Sequence, residues 1–490
     1  MFQIKEILTN FINNVKRYKF IANAGAYVSS NFLVKAAGFL LTPLWAHFLT
    51  PEDYGITGTL AAYSGVLTTL LMMGLHGALV RHYYDHIDDI ESQKSYVTSI
   101  LLFQMLVSGC IVFVLSMWGP SLWARFTTGK IPFDPYVRIM LWTACIANWI
   151  SLPQALYQAQ QKARNYIFVG YGRFLLGVVA NLVLIVGLRQ GAFGQMLGQL
   201  LAGAFIALIV LILMWRQWFS TKIKWNHIRS GLIFGLPLVP HLIAAWVMQA
   251  ADRLILERFI SLDELGLYNF GYTLGLVMSF IVTGINQAWS PYYYRLMDNN
   301  PKPEKGIIQV VSVYLALIGG ICLFGILFAG EIVHIILPQS YYGVVPYIAP
   351  VLLGYLMLGF YYFAAMPLFY YRKTKLLPLL TGTAAVINII LNLWLVPIYG
   401  ALGSAWITMV TYAIFFLLAF FVGKKFQNVK YPIGKFSSIL LIIIVSTLIN
   451  IQLDIFDIWS FIAKIGILIF FLAAIYLLII RTSFIQKIFD

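Results

Sequence analysis

Apolar runs of about 20 residues, the length a helix needs to cross a hydrocarbon core, follow one another almost from end to end of this chain. Short breaks rich in Gly, Pro and charge separate them. The breaks predict fourteen helical spans, near 21–48, 54–81, 96–119, 136–160, 166–188, 192–215, 231–256, 265–294, 306–330, 345–371, 376–397, 400–423, 435–453 and 458–480. Ahead of them, residues 1–20 gather Phe2, Ile4, Ile7, Leu8, Phe11, Ile12 and Val15 on one helical face, with Lys5, Lys16, Arg17 and Lys19 elsewhere. That pattern predicts an amphipathic helix lying in the membrane interface. No apolar run precedes the small residues Ala22-Asn23-Ala24, so this segment is expected to be retained rather than cleaved as a signal.

Composition supports the pattern. The 490 residues are 61% hydrophobic and 10% charged, which does not describe a surface facing water. The chain carries Lys and Arg at 33 positions and a formal net charge of +15. With an even number of spans and both termini inside, 24 of these cations fall in cytoplasmic segments, 5 outside and 4 within spans. That bias obeys the positive-inside rule and sets the expected orientation of a multi-pass membrane protein with both termini in the cytoplasm. The basic excess is therefore expected to reflect topology and attraction to anionic lipid, with no nucleic-acid partner. Cys110, Cys145 and Cys322 all lie in apolar stretches without metal-ligand spacing and are expected to be packing residues.

The chain repeats itself. HFLTPEDYGITG (47–58) aligns with RFISLDELGLYN (258–269) at an offset of 211, pairing Phe48 with Phe259, Thr50 with Ser261, Asp53 with Glu264 and Gly55 with Gly266. GAFG (191–194) aligns with GALG (400–403) at an offset of 209, setting Arg164 against Lys373. The offset carries span one onto span seven, so the copies run in the same direction through the membrane. The expected architecture is an all-α polytopic membrane protein with an N-lobe over 21–218, a C-lobe over 230–423 and two appended helices over 434–481. Six helices per lobe around a shared central site would suit alternating access.

Candidate chemistry comes from charge at membrane depth, where each cation costs about 2.5–3.5 kcal/mol unless it faces protein or water. Lys35, Arg173, Arg253 and Lys464 lie within expected spans, against Asp252 as the one carboxylate there. Such cations suit a cavity for an anionic headgroup, since guanidinium and ammonium groups in a low-dielectric cleft attract diphosphate. Pairing of Arg253 with Asp252 is an equal structural reading, and Lys464, near a span end, is expected to snorkel to the interface. Arg81, at the inner end of span two, is a candidate for first contact with a headgroup or a plain positive-inside anchor. Asn181, Asn388 and Asn392 either line the cavity or bond between helices. His82, Asp85 and His86 have metal-like spacing but sit in a charged loop, where solvated side chains are expected. Pro43, Pro237, Pro240 and Pro367 are candidate kinks. Runs such as Tyr292-Tyr293-Tyr294 read as interfacial belts.

No phosphate-binding G-x-x-x-x-G-K-[ST] loop and no nucleophile, base and orienter combination stands out, so neither ATP hydrolysis nor enzymatic catalysis is expected and no cofactor is implied. Energy would come from a proton or sodium gradient, a partner or the substrate gradient.

HFLTPEDYGITG, YGALGSAW (399–406) and above all ADRLILERFISLDELGLYNFGY (251–272) resemble the signatures of polysaccharide flippases of the multidrug, oligosaccharidyl-lipid and polysaccharide exporter superfamily. Asp252, Arg253, Leu256, Glu264, Gly266, Tyr268 and Tyr272 carry the second match, and the likeness covers nearly the whole chain. His47 and Lys35 stand where this group often has arginine, and lysine lacks the bidentate grip of a guanidinium. The resemblance implies translocation of undecaprenyl-diphosphate-linked repeat units for O-antigen, capsule or another surface polysaccharide, with the bilayer and a polysaccharide polymerase as partners. A lipid II flippase fits the same charge. A drug or cation antiporter needs the opposite sign in the membrane. A polymerase or ligase needs a long external loop, and the longest here, roughly 119–135, is short. A major-facilitator transporter would carry a basic loop after span two that HYYDHIDDIESQK does not match.

Overall fold

The computed structural model describes residues 32–477 apart from 87, 88, 428, 432 and 451. The amphipathic segment 1–20 and the end of the last expected span lie outside them. Every regular element described is helical. By Cα packing the chain divides into two compact units, one ending at Trp246 and one beginning at Val247.

The first unit holds α1 (Phe32–Ala46), α2 (Pro51–Met72), α3 (Leu75–Tyr83), α4 (Ile90–Phe126), α5 (Arg138–Ala159), α6 (Ala163–Asn181), α7 (Gly191–Trp218), α8 (Trp225–Gly235) and the start of α9 (Val239–Phe259). Leu75, Leu79, Tyr96, Val97, Ile100, Leu152, Leu156, Tyr157 and Val210 form its buried core. Lipid gives no hydrophobic drive for helices to associate, so close backbone approach at small residues does that work. The clearest case is Gly74, at φ 70°, where an added Cβ would lie 2.3 Å from the carbonyl oxygen of Gly235. The start of α3 and the end of α8 thus meet backbone to backbone.

The second unit holds the rest of α9, then α10 (Leu262–Asn299), α11 (Pro303–Leu327), α12 (Ala329–Ile336), α13 (Val345–Tyr370), α14 (Leu377–Lys424), α15 (Ile433–Asn450) and α16 (Ile458–Ile475). α10, α13 and α14 pack together, and α15 and α16 lie against α11. Gly319 of α11 makes the seat: a Cβ there would be 3.2 Å from Ile443 of α15 and 3.4 Å from Phe471 of α16.

Eleven of the described helices are long and apolar enough to cross a membrane, and two apolar ones, Phe32–Ala46 and Phe436–Asn450, are shorter. The 51-residue span Thr374–Lys424 is two helices joined at Gly400, whose φ of 57° and ψ of −145° are not helical. The expected segments fall on helices where they are described, but the described residues give eleven helices of spanning length and apolarity against the fourteen expected.

The repeat is written into backbone geometry. α2 and α10 begin at matched caps: Thr50 accepts from Asp53 N at 3.2 Å, and Ser261 accepts from Glu264 N at 3.1 Å. α5 and α13 end in the same turn. Lys162 N donates to Tyr157 O at 2.9 Å after Gln161 at φ 56°, and Lys373 N donates to Leu368 O at 2.7 Å after Arg372 at φ 57°. Each pair of positions is 211 residues apart, and both turns close with a six-to-one bond around a left-handed residue that is not glycine.

Candidate functional site

The most developed polar cluster in the second unit begins on α9, which presents Asp252 and Arg253 together. Opposite them α10 places Tyr268, Asn269 and Tyr272 within little more than one turn, so that all three reach the α9 pair. The Arg253 guanidinium donates from Nη1 to Asp252 Oδ1 at 3.0 Å and to the Gln249 carbonyl at 2.6 Å. Its Nε donates to Asn269 Oδ1 at 3.1 Å. Asp252 Oδ2 accepts from the Tyr268 hydroxyl. Beneath the cation lies the Tyr272 ring, 4.2 Å from guanidinium carbon to centroid, an attraction strengthened by desolvation. Tyr355 of α13 and Tyr412 of α14 extend the aromatic wall, with ring centroids 6.1 Å apart.

The side chains of Arg253 and Asp252 are 12% and 5% exposed, so this is a buried ion pair whose geometry must offset its desolvation. Asp252 is satisfied at both oxygens. Arg253 Nη2 donates to no group among the described residues. That edge of the guanidinium is the part able to meet an incoming anion.

Asn388 and Asn392 sit elsewhere in the same unit, on the first arm of α14. Asn388 Nδ2 donates to Thr411 Oγ1 at 3.2 Å, Asn392 Nδ2 donates to the Asn388 carbonyl at 2.9 Å, and Ser404 Oγ donates to Asn392 Oδ1 at 2.7 Å. The chain of bonds ties the two arms around Gly400, the interhelical use of such residues.

Lys464 departs from the expectation. It does not snorkel: it is 2% exposed, in the middle of α16, and its Nζ lies 2.5 Å from Glu331 Oε1. Glu331 falls one residue past the expected span 306–330, in the loop that precedes 345–371. The break at Phe328 starts the short α12 and brings that carboxylate back against α16. Nothing local in the sequence signals a partner 133 positions away.

In the first unit the candidates stay apart. Arg173, in mid-α6, is half-buried and has no ion pair or hydrogen bond among the described residues. Asn181 ends α6 at 9% exposure with its Oδ1 unpartnered among the described residues, and Gly198 of α7 leaves it room: a Cβ there would be 2.6 Å away. Lys35 is exposed on α1. Arg81 is exposed and donates to Asp85 Oδ1 at 2.9 Å, while His82 Nδ1 lies 2.8 Å from Asp85 Oδ2. The hydrogen bond with His82, with the Arg81 charge beside it, holds the Asp85 carboxyl below the usual carboxylate range. All three cysteines are free.

A model of the family described as Polysaccharide biosynthesis protein matches residues 20–297. Lsg locus putative protein 1 of Haemophilus influenzae is 21% identical over 407 residues, 79% of this chain and 95% of that protein. The solved structure of the lipid II flippase MurJ in an inward closed conformation superposes with a TM-score of 0.71 at 14% identity, over 92% of this chain and 98% of its own. An inward-facing multidrug resistance MATE family transporter of the MOP superfamily superposes at 0.61 with 14% identity, over 80% and 97%. At such identities the structures establish the fold.

Proposed function

Because the chain belongs to the polysaccharide biosynthesis protein family and shares its fold with a lipid II flippase and a multidrug transporter, we propose that it moves undecaprenyl-diphosphate-linked oligosaccharide repeat units across the bacterial cytoplasmic membrane by alternating access. Both termini lie in the cytoplasm on this reading, the polymer made from the flipped units is a surface polysaccharide such as O-antigen, and a polymerase takes them over on the far side. The observation that carries the reading is Arg173: a cation inside an apolar helix with no protein anion to compensate it among the described residues needs water or an anionic ligand. Arg253 adds a guanidinium edge, Nη2, with no acceptor among the described residues. Both suit a diphosphate, which takes charge-assisted bonds from Arg better than from any neutral donor.

A proton or sodium gradient would drive the cycle, with Asp252, the carboxylate paired to Arg253, as the coupling candidate. The likeness to the lipid II flippase keeps one rival headgroup in view, since lipid II shares the prenyl diphosphate and differs in its sugars and peptide.

Deleting the gene in a strain without a paralogue is expected to trap single lipid-linked repeat units on the cytoplasmic leaflet and to abolish the surface polymer. Normal polymer in that strain would overturn the proposal. Loss of peptidoglycan synthesis with intact surface polymer would select lipid II instead. Lys35→Ala and Arg173→Ala should each cut polymer output while the protein stays abundant in the membrane, and full output from both would place the binding cations elsewhere.

A further inference from the structure

Between α7 and α8 the chain makes an extended strap, residues 219–224, whose backbone is fastened to the first turns of α4. Thr98 Oγ1 donates to the Trp218 carbonyl at 2.6 Å and accepts from Ser220 N at 3.1 Å. Ser95 donates to the Lys222 carbonyl, and Ser99 Oγ accepts from Lys224 N at 3.1 Å. Three hydroxyl side chains of one helix thus take up the polar backbone groups of the strap, so that ordering it leaves few of them unsatisfied. The side chains that remain outward are of two kinds. Trp215, Phe219, Ile223 and Trp225 are exposed apolar groups, the two tryptophans at 58% and 63%, and Trp215 stacks on Phe219 with centroids 3.8 Å apart. Arg216, Lys222, Lys224 and Arg229 are exposed cations. Between Trp215 and Arg229 there is no acidic residue. Lys222 meets Glu91 of α4 at 2.6 Å, and the other three have no ion pair among the described residues.

We propose that Trp215–Arg229 is a binding surface for anionic phospholipid headgroups. Indole and phenyl rings interleaved with Lys and Arg are the composition of a membrane–water interface: the rings settle at headgroup depth while the cations meet phosphate. The fastening to α4 distinguishes this surface from a diffuse positive charge. A pre-ordered strap loses little conformational freedom on binding, so its cations act at fixed positions. The surface lies wholly in the first unit and does not depend on what the protein transports.

The test uses the full-length protein in nanodiscs of phosphatidylcholine with and without phosphatidylglycerol, reading the thermal unfolding midpoint. Phosphatidylglycerol is expected to raise the midpoint of the natural protein. The Arg216→Gln, Lys224→Gln, Arg229→Gln variant should lose most of that rise, each neutralisation weakening the lipid's hold roughly fivefold. A control that neutralises as many exposed cations of the second unit, Lys302, Lys305 and Lys375→Gln, should keep the rise. Should the triple variant fail to fold, Arg216→Lys with Arg229→Lys, which retains the charge, is expected to fold and to respond to phosphatidylglycerol as the natural protein does. No rise in the natural protein, equal loss in the control variant, or no response in the charge-retaining variant would each overturn the proposal.

Discussion

Asp53 Oδ1 accepts a hydrogen bond from the backbone N–H of Ala192 at 2.7 Å, so the carboxylate that caps α2 also caps the start of α7, 139 residues later. Its other oxygen, Oδ2, accepts from Thr50 N at 2.9 Å. In the second unit Glu264, in the first turn of α10, lies near Gly400, where a Cβ would be 3.2 Å from its Oε1, but among the described residues it makes no bond like that of Asp53 to Ala192. A negative charge at a helix N-terminus meets unpaired N–H groups and the positive end of the dipole. In the first copy one acidic side chain therefore joins the blocks 47–58 and 191–194, whose counterparts 258–269 and 400–403 lie close together in the second.

That joint should be sensitive to size as well as charge. Gly191, at φ 54°, has room for no Cβ, which would come within 2.7 Å of Asp53 Oδ1. Gly191→Ala should destabilise the first unit by about 2 kcal/mol, from left-handed strain and displacement of the carboxylate. Asp53→Ala should cost about 1 kcal/mol through the lost cap, and Asp53→Asn less. Thermal unfolding of the purified protein checks the order. An Asp53→Ala variant as stable as the natural protein would show that the cap is idle.

The Lys464 and Glu331 pair should behave as a buried ion pair. Lys464→Met alone leaves a carboxylate in an apolar seat and should cost about 3–5 kcal/mol. Lys464→Met with Glu331→Met should recover most of that loss, because it removes both charges and their desolvation. A double variant no more stable than the single one would show that the pair is not coupled. The measurement is again thermal unfolding, with membrane abundance as a second readout.

Arg173 and Arg253 should separate transport from folding. Arg173→Ala removes no hydrogen bond or ion pair among the described residues, so abundance should hold while polymer output falls. Arg253→Ala leaves Asp252 buried without its partner and should lower abundance as well. Adding Asp252→Asn to Arg253→Ala should restore abundance without restoring transport. Quantitative immunoblots beside polymer yield decide it, and restored transport in the double variant would remove Arg253 from the binding role.

The α14 network should tolerate loss better than the ion pairs. Asn392→Leu deletes the bonds to Asn388 and Ser404, and interhelical bonds of this kind average about 0.6 kcal/mol in a membrane protein. The midpoint of unfolding should drop by only a few degrees. A collapse in abundance would assign Asn392 a larger part than bridging the two arms.

Much of the fold was legible without coordinates, because its causes are local. A lipid-spanning helix must be apolar over its whole length and satisfy its own backbone, so each span is visible as a run and each end as a break. The duplication was visible for a related reason: caps and turns depend on the few residues that make them, and Thr50 with Asp53 or Ser261 with Glu264 keep their spacing in both copies. Arg253 beside Asp252 was legible because its partner is the adjacent residue.

What only the tertiary structure decided concerns groups brought together from distant positions. Lys464 reads as an interfacial lysine until α12 returns Glu331 to its side, Asp53 reads as the cap of one helix until Ala192 reaches it, and Asn269 has no mark in the sequence until α10 lays it against Arg253. Hydropathy records how much a residue dislikes lipid, and that preference is local. Whether a buried charge is compensated depends on which helix packs beside it, and packing is a property of the whole fold.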